Sequence, residues 1–273
     1  MPTLPREHPD PARPHQARQT AESFGTDAQR YDQARPRYPD DLVSRIVAGS
    51  PGPHVLDVGC GTGIASRQFQ AAGCTVLGID PDARMADAAR AHGLRVEVAT
   101  FEAWEPAGRR FDTVIAAQSW HWVDPAVGAP KAARVLRPRG RLAIFGHVFE
   151  PPAEVAEAFA AAYRRVAPDS PFSSQPARRP LETYLAGYAK IADAIRETGR
   201  FDDPEQWRFD WQRPYTREQW LDLLPTTGAL TRLRPDQLAE TLGAVGRAIG
   251  ALGGRFTMNY TTLATTAVRA GTP

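Results

Sequence analysis

Residues 55–63 read Val-Leu-Asp-Val-Gly-Cys-Gly-Thr-Gly, and Asp80 closes the next apolar run. The stretch 54–58 predicts a short buried strand. It runs directly into glycines at alternate positions, Gly59, Gly61 and Gly63. A helical pattern over 64–72 stops at Gly73, a residue type that ends helices because it takes positive φ without a Cβ clash. A second apolar run, 75–79, then delivers Asp80. Strand, glycine turn, helix, strand, acid is the order in which an open α/β sheet builds a nucleoside site.

Each part of that order has a physical task. Backbone without Cβ lets a ligand approach closely. A carboxylate beyond the second strand can accept hydrogen bonds from both ribose hydroxyls. The spacing separates two ligand classes. Dinucleotide sites read G-x-G-x-x-G and set a pyrophosphate on the helix N-terminus. Here the pattern is G-x-G-x-G, and position 64 is Ile. Asp57, inside the strand that feeds the turn, would repel a pyrophosphate and suit a cationic ligand.

The segment Asp57-Val58-Gly59-Cys60-Gly61-Thr62-Gly63, with Asp80 beyond it, resembles the first motif of the class I S-adenosylmethionine-dependent methyltransferases. The resemblance implies that the glycine turn meets the amino-acid end of that cofactor and that Asp80 holds its ribose. It extends over most of the chain. Phe111-Asp112-Thr113-Val114-Ile115-Ala116-Ala117-Gln118-Ser119-Trp120-His121-Trp122 resembles the fourth-strand motif of a small-molecule branch and implies that Gln118 touches the cofactor. Arg134-Val135-Leu136-Arg137-Pro138-Arg139-Gly140-Arg141-Leu142 resembles the family's turn into the fifth strand. Tyr31-Asp32-Gln33-Ala34-Arg35-Pro36-Arg37-Tyr38-Pro39 is similar to a branch that includes trans-aconitate methyltransferase-like proteins. There the tyrosine and first arginine lie near the methionine end, which implies that Arg35 pairs with the cofactor carboxylate. Segment 98–104 occupies the place that flanks adenine in relatives, but Phe101 stands where a small residue is usual. Phe101 and Trp104 are candidates for stacking on adenine or for core packing. Glu102 is either the matching acid or a solvated one.

Composition narrows the class. Hydrophobic residues make up 42% of the chain, enough for a substantial core. Net charge is +2 with both signs interspersed, so no strong basic field attracts nucleic acid or anionic lipid. The two cysteines, Cys60 and Cys74, cannot build a disulfide framework or a Cys-rich zinc site. With no membrane-length apolar run and no apolar leader, a cytoplasmic location is expected.

The expected fold is α/β: a Rossmann-like, mostly parallel seven-stranded sheet with helices on both faces and a helical cap insert. A Pro-rich tail, 1–22, is expected to be disordered. N-terminal helices over 23–50 would lie over the cofactor pocket. The core would comprise 51–149 and 204–270, with strands at 94–99, 111–117 and 141–145 and helices at 82–91 and 126–136. The insert, 150–203, would supply helices at 153–166 and 181–197 joined by a Pro/Ser loop, 168–180. A strand at 206–213, helices at 216–224 and 235–249, and a final strand at 256–268 would close the sheet. In the family, that last strand is antiparallel.

Methyl transfer is an in-line displacement whose leaving sulfur departs neutral. The protein must align the nucleophile, exclude water and, for some acceptors, take a proton. His121 at the end of the fourth strand, His147 after the fifth, and Tyr31 are the candidate catalytic groups. Trp120, Trp122, Tyr163 and Tyr184 are candidate substrate contacts, together with Phe172, Tyr188 and the strand residues Trp207, Phe209 and Trp211. No metal is expected, because His121 and Asp124 lack the preceding acid of catechol-type enzymes.

The sequence therefore predicts a methyltransferase using S-adenosyl-L-methionine and releasing S-adenosyl-L-homocysteine. Its acceptor would be a small molecule of secondary or small-acid metabolism, with oxygen (hydroxyl or carboxylate) favoured over nitrogen or carbon. A monomer or homodimer is expected, with no nucleic-acid or membrane partner. Rival readings are a nucleic-acid or protein methyltransferase, a nicotinamide-dependent oxidoreductase and a non-catalytic nucleoside-binding module. Against the first, Ala117-Gln118-Ser119-Trp120 stands where DNA amino-methylases carry Asn/Asp-Pro-Pro-aromatic. Against the second stands the missing glycine at position 64.

Overall fold

The computed structural model describes residues 23–170 and 180–271. The tail 1–22, Phe172 and most of the 168–180 loop lie outside the described residues. Strands β1 (His54–Val58), β2 (Thr75–Asp80), β3 (Arg95–Val98), β4 (Phe111–Ala117), β5 (Leu136–Glu150), β6 (Glu205–Thr216) and β7 (Arg255–Val268) form one sheet in the order β3-β2-β1-β4-β5-β7-β6. The first five are mutually parallel, and β7 runs antiparallel to both β5 and β6. The connection order reverses at β1, which pairs with β2 on one side and β4 on the other. A reversal of this kind opens a crevice at the carboxyl ends of the strands, where open α/β sheets bind ligands. The glycine turn sits there.

Strand alternation assigns the two faces. Val55, Val76, Ile115, Ala143 and Phe145 pack against α2 (Asp40–Ala48) and α3 (Ile64–Ala71). Leu56, Val114, Leu142 and Ile144 pack against α5 (Pro125–Val135) and α7 (Pro180–Glu197). Each fully buried Leu or Phe contributes about 1.5–3 kcal/mol. Helix α2 forms because Leu42, Val43 and Ile46 make one apolar stripe while Asp40 and Asp41 complement the positive N-terminus. Helix α4 (Ala83–Ala91) packs through Ala86 and Ala89 on Leu94 and Val96.

A separate core lies where β6 and β7 run past the parallel strands. Tyr215, Met258 and Tyr260 pack there with Ala34 of α1 (Ala28–Ala34), Val155 and Tyr163 of α6 (Ala153–Val166), Trp220 and Leu223 of α8 (Arg217–Leu223), and Val245 and Ile249 of α9 (Pro235–Ala251).

Two expectations differ from the structure. The fifth strand is far longer than 141–145. It begins at Leu136, which pairs with Phe111, and passes through Arg139 in the left-handed region (φ +64°). Beyond Phe145 it continues because β7 pairs with it out to Glu150. The helices of 150–203 also do not share one roof: α6 joins the second core, whereas α7 lies on the sheet face through Ile191 and Ile195.

Candidate functional site

The glycine turn is held by β2: Gly59 and Cys60 N–H both donate to the Ile79 carbonyl, at 2.8 and 3.0 Å. Gly59 takes φ +68°, and a Cβ there would sit 2.6 Å from Ser119 Cβ. Gly63 takes φ +85° at the N-cap of α3, where a Cβ would come within 2.0 Å of Leu94 Cδ1. Gly61 is different. Its added Cβ would find only Met85 Cε, at 3.8 Å, so its face is open to close approach.

Two buried carboxylates back the turn. Asp80 accepts from Gly61 N–H at 2.8 Å and from Asp82 N–H at 2.9 Å. Burial nevertheless raises its pKa to about 6. Asp57 is wholly shielded from solvent and accepts from the Ser66 hydroxyl at 2.6 Å, while its Oδ1 has no partner. Burial, reinforced by the Asp80 charge, raises Asp57 to about 7. The Thr62 hydroxyl, in the same turn, is likewise buried and unpartnered.

A cleft opens from this turn, floored by Gly59, Gly61 and Thr62. Tyr31, Arg35, Tyr38, Gln118, His147 and Phe149 line it. Leu223 and Tyr260 complete the lining. The Arg35 guanidinium lies over the Tyr31 ring and donates through Nη2 to the Thr226 carbonyl at 2.5 Å. Its Nε is buried without a partner. Gln118, at φ +61°, accepts from His147 N–H at 2.7 Å, and its own N–H donates to the Phe145 carbonyl. Its amide therefore ties β4 to β5.

His147 is 8% exposed and stacks on Tyr38, with ring centroids 4.4 Å apart. Its Nδ1 lies 2.9 Å from the Thr262 hydroxyl. Burial, and secondarily the Arg35 charge, pushes its pKa down to about 3, with the Arg37 main chain acting in the opposite sense. The ring is neutral at pH 7.

Among the sequence candidates, the cleft gathers Tyr31, Arg35, Gly59, Gly61, Gln118 and His147, with Asp57 and Asp80 behind the turn. Others stand elsewhere. Phe101 and Trp120 are in the sheet core, tilted against each other at 6.2 Å. Glu102 accepts from Asp124 N–H, fixing the loop before α5 instead of facing the cleft. His121 does not line the cleft and is an exposed residue. Desolvation by the side chains around it lowers its pKa. Trp122 packs on Phe24. Tyr163 is in the second core, its hydroxyl donating to the Ala229 carbonyl. Tyr184 is exposed on α7. Phe101, Trp120, Trp122 and Tyr163 are apolar enough to serve packing, and packing has used them.

The sequence reading missed Tyr38, Thr62, Phe149, Leu223 and Tyr260 as cleft residues. Tyr38 and Thr62 stand inside the quoted motifs. Leu223 and Tyr260 arrive from distant elements with no local signature.

The sheet order and the glycine turn define the class: a Rossmann-like sheet of methyltransferase type. A solved structure described as "Putative Type II Methyltransferase from Anaeromyxobacter dehalogenans" shares it, with a TM-score of 0.62 at 24% identity over 87% of this chain and 99% of that one. Residues 56–144 match the family described as "Methyltransferase domain". An uncharacterized methyltransferase of Mycobacterium tuberculosis is 39% identical over 125 residues, 45% of this chain and 51% of that protein. A ubiquinone biosynthesis O-methyltransferase of Alkalilimnicola ehrlichii is 32% identical over 110 residues, 37% of this chain and 44% of that protein. The chain thus spans about half the length of the curated relatives it matches.

Proposed function

We propose that this chain is an S-adenosylmethionine-dependent methyltransferase acting on a small organic molecule, with oxygen as the favoured acceptor. The observation that carries it is the open face of Gly61 beside two buried carboxylates, Asp57 and Asp80, at the sheet's switch point. The donor and acceptor set fits such a cofactor. Asp80 keeps lone pairs for ribose hydroxyls, Arg35 Nε is an unused cationic donor for a carboxylate, and Asp57 adds negative charge near a sulfonium. When bound, the cofactor supplies an activated methyl group. The chain's part is to bind, orient and exclude water. Tyr31, Arg35, Leu223 and Tyr260 line the cleft and would shield it from water.

An aromatic-walled cleft of this kind suits a small acceptor better than a polymer. The similarity to a ubiquinone biosynthesis O-methyltransferase supports oxygen. Segments 51–149 and 204–270 would form the catalytic body, with 23–50 closing over the cofactor. Calorimetry with S-adenosylmethionine, S-adenosylhomocysteine and NAD tests the assignment. The first two should bind and NAD should not. Binding of NAD alone overturns it. Labelled cofactor with a producer extract, read by mass spectrometry, then finds the acceptor.

A further inference from the structure

The second core reaches the cleft through a chain of three side chains. Trp211 Nε1–H donates to Thr262 Oγ1 at 2.9 Å, and Thr262 Oγ1 lies 2.9 Å from His147 Nδ1. Indole nitrogen is only ever a donor. Thr262 is wholly buried, and these are its only side-chain partners among the described residues. Its hydroxyl proton therefore has one acceptor within reach, His147 Nδ1. If Nδ1 carried a proton instead, the buried hydroxyl would have nowhere to donate, and an unmet buried donor is costly. A neutral imidazole that accepts at Nδ1 carries its hydrogen on Nε2. That nitrogen is buried, has no partner in good hydrogen-bond geometry and belongs to a ring that lines the cleft. A weak hydrogen-bonding contact with the Arg37 main chain favours a proton on the ring, and a ligand oxygen would have to replace it.

We propose that Trp211 and Thr262 fix His147 as a neutral, Nε2-protonated imidazole, a positioning donor that holds a carboxylate or carbonyl oxygen of the molecule in the cleft and is not the base. A base must offer a lone pair where the acceptor's proton is, and this ring offers a hydrogen there. The oxygen belongs either to the cofactor's amino-acid end or to the acceptor. The second half of this assignment rests on the methyltransferase reading above; the tautomer does not.

The whole chain labelled with 15N-histidine reports both halves. Long-range 1H–15N spectra of the free protein at pH 7 should show His147 as the Nε2–H form, with the resonance assigned by its loss in His147→Gln. Thr262→Ser should keep that pattern, and Thr262→Val should shift the ring toward the Nδ1–H form. An Nδ1–H pattern in the native chain, or titration of His147 between pH 5 and 8, overturns the tautomer. S-adenosylhomocysteine and, separately, benzoate are then added. Movement of the Nε2 signal with the first assigns the oxygen to the cofactor, and movement with benzoate alone assigns it to the acceptor. A signal that stays still with both probes, S-adenosylhomocysteine being bound, overturns the positioning role. If S-adenosylhomocysteine does not bind at all, the cofactor reading fails while the ring pattern stands. For the probe that moves the signal, His147→Leu should weaken binding about tenfold or more, and His147→Gln, which keeps a donor, should recover most of it.

Discussion

The parallel half of the sheet and the antiparallel extension contrast in how they treat polar atoms. Around the glycine turn, Asp57 Oδ1 and the Thr62 hydroxyl are buried without partners, and two carboxylates have pKa values raised by burial. In the extension, the polar groups answer one another. The Tyr215 and Tyr260 hydroxyls meet at 2.7 Å, Trp211 binds Thr262, and Tyr163 binds Ala229. One region holds electrostatic cost in readiness for a ligand; the other is a self-contained core that lends its edge to the cleft. His147 lies on the border, its Nδ1 taken by the extension and its Nε2 left unpartnered.

Asp57 gives the largest test of that contrast. Its folded pKa, about 7, is raised above the ordinary 3.8 by burial. A raised carboxyl pKa stabilises the fold fully below the ordinary value, and the contribution is lost as pH climbs through the folded one. Asp57→Asn should therefore gain stability relative to the native chain between pH 4 and pH 8, on the order of 3–4 kcal/mol. Thermal unfolding at both pH values checks this, and an equal difference at each would erase the contrast. Next, Asp80→Ala should weaken S-adenosylhomocysteine binding by about 2–3 kcal/mol through two lost ribose hydrogen bonds. Unchanged calorimetric affinity would remove the turn from the cofactor site.

Phe149→Leu touches the border from the other side. It should raise KM for the acceptor by an amount worth about 1 kcal/mol while leaving S-adenosylhomocysteine affinity unchanged. Equal loss of both would show that the two regions are not separable. The smallest effect is expected from Tyr163→Phe, about 1 kcal/mol of stability from the lost bond to Ala229 and nothing in binding. A shift in acceptor KM alone would return Tyr163 to the substrate list.

The same contrast governs what was legible in the sequence. Gly59, Gly63 and Asp80 could be read because their tasks are local: positive φ, a filled space beside Leu94, a carboxylate one strand over. The apolar runs gave the positions of the parallel strands along the chain for the same reason. The outer part of β5 could not be read, because residues 146–150 are strand only by virtue of β7 pairing with them. Phe101, Trp120 and Tyr163 could not be sorted between ligand and core from the sequence, because an aromatic side chain looks the same whether it stacks on a base or on a neighbour. Thr262 carried no sign of its role, which exists only because Trp211 and His147 come from two other strands.

Strand β7 is made last yet lies between β5 and β6, each of which pairs with it along ten or more register positions. Until Arg255–Val268 leaves the ribosome, both neighbours are bare edges able to join a wrong partner. Chaperone demand during synthesis should therefore peak just before those residues emerge, and C-terminal nonsense truncations should aggregate while N-terminal deletions of similar size stay dispersed.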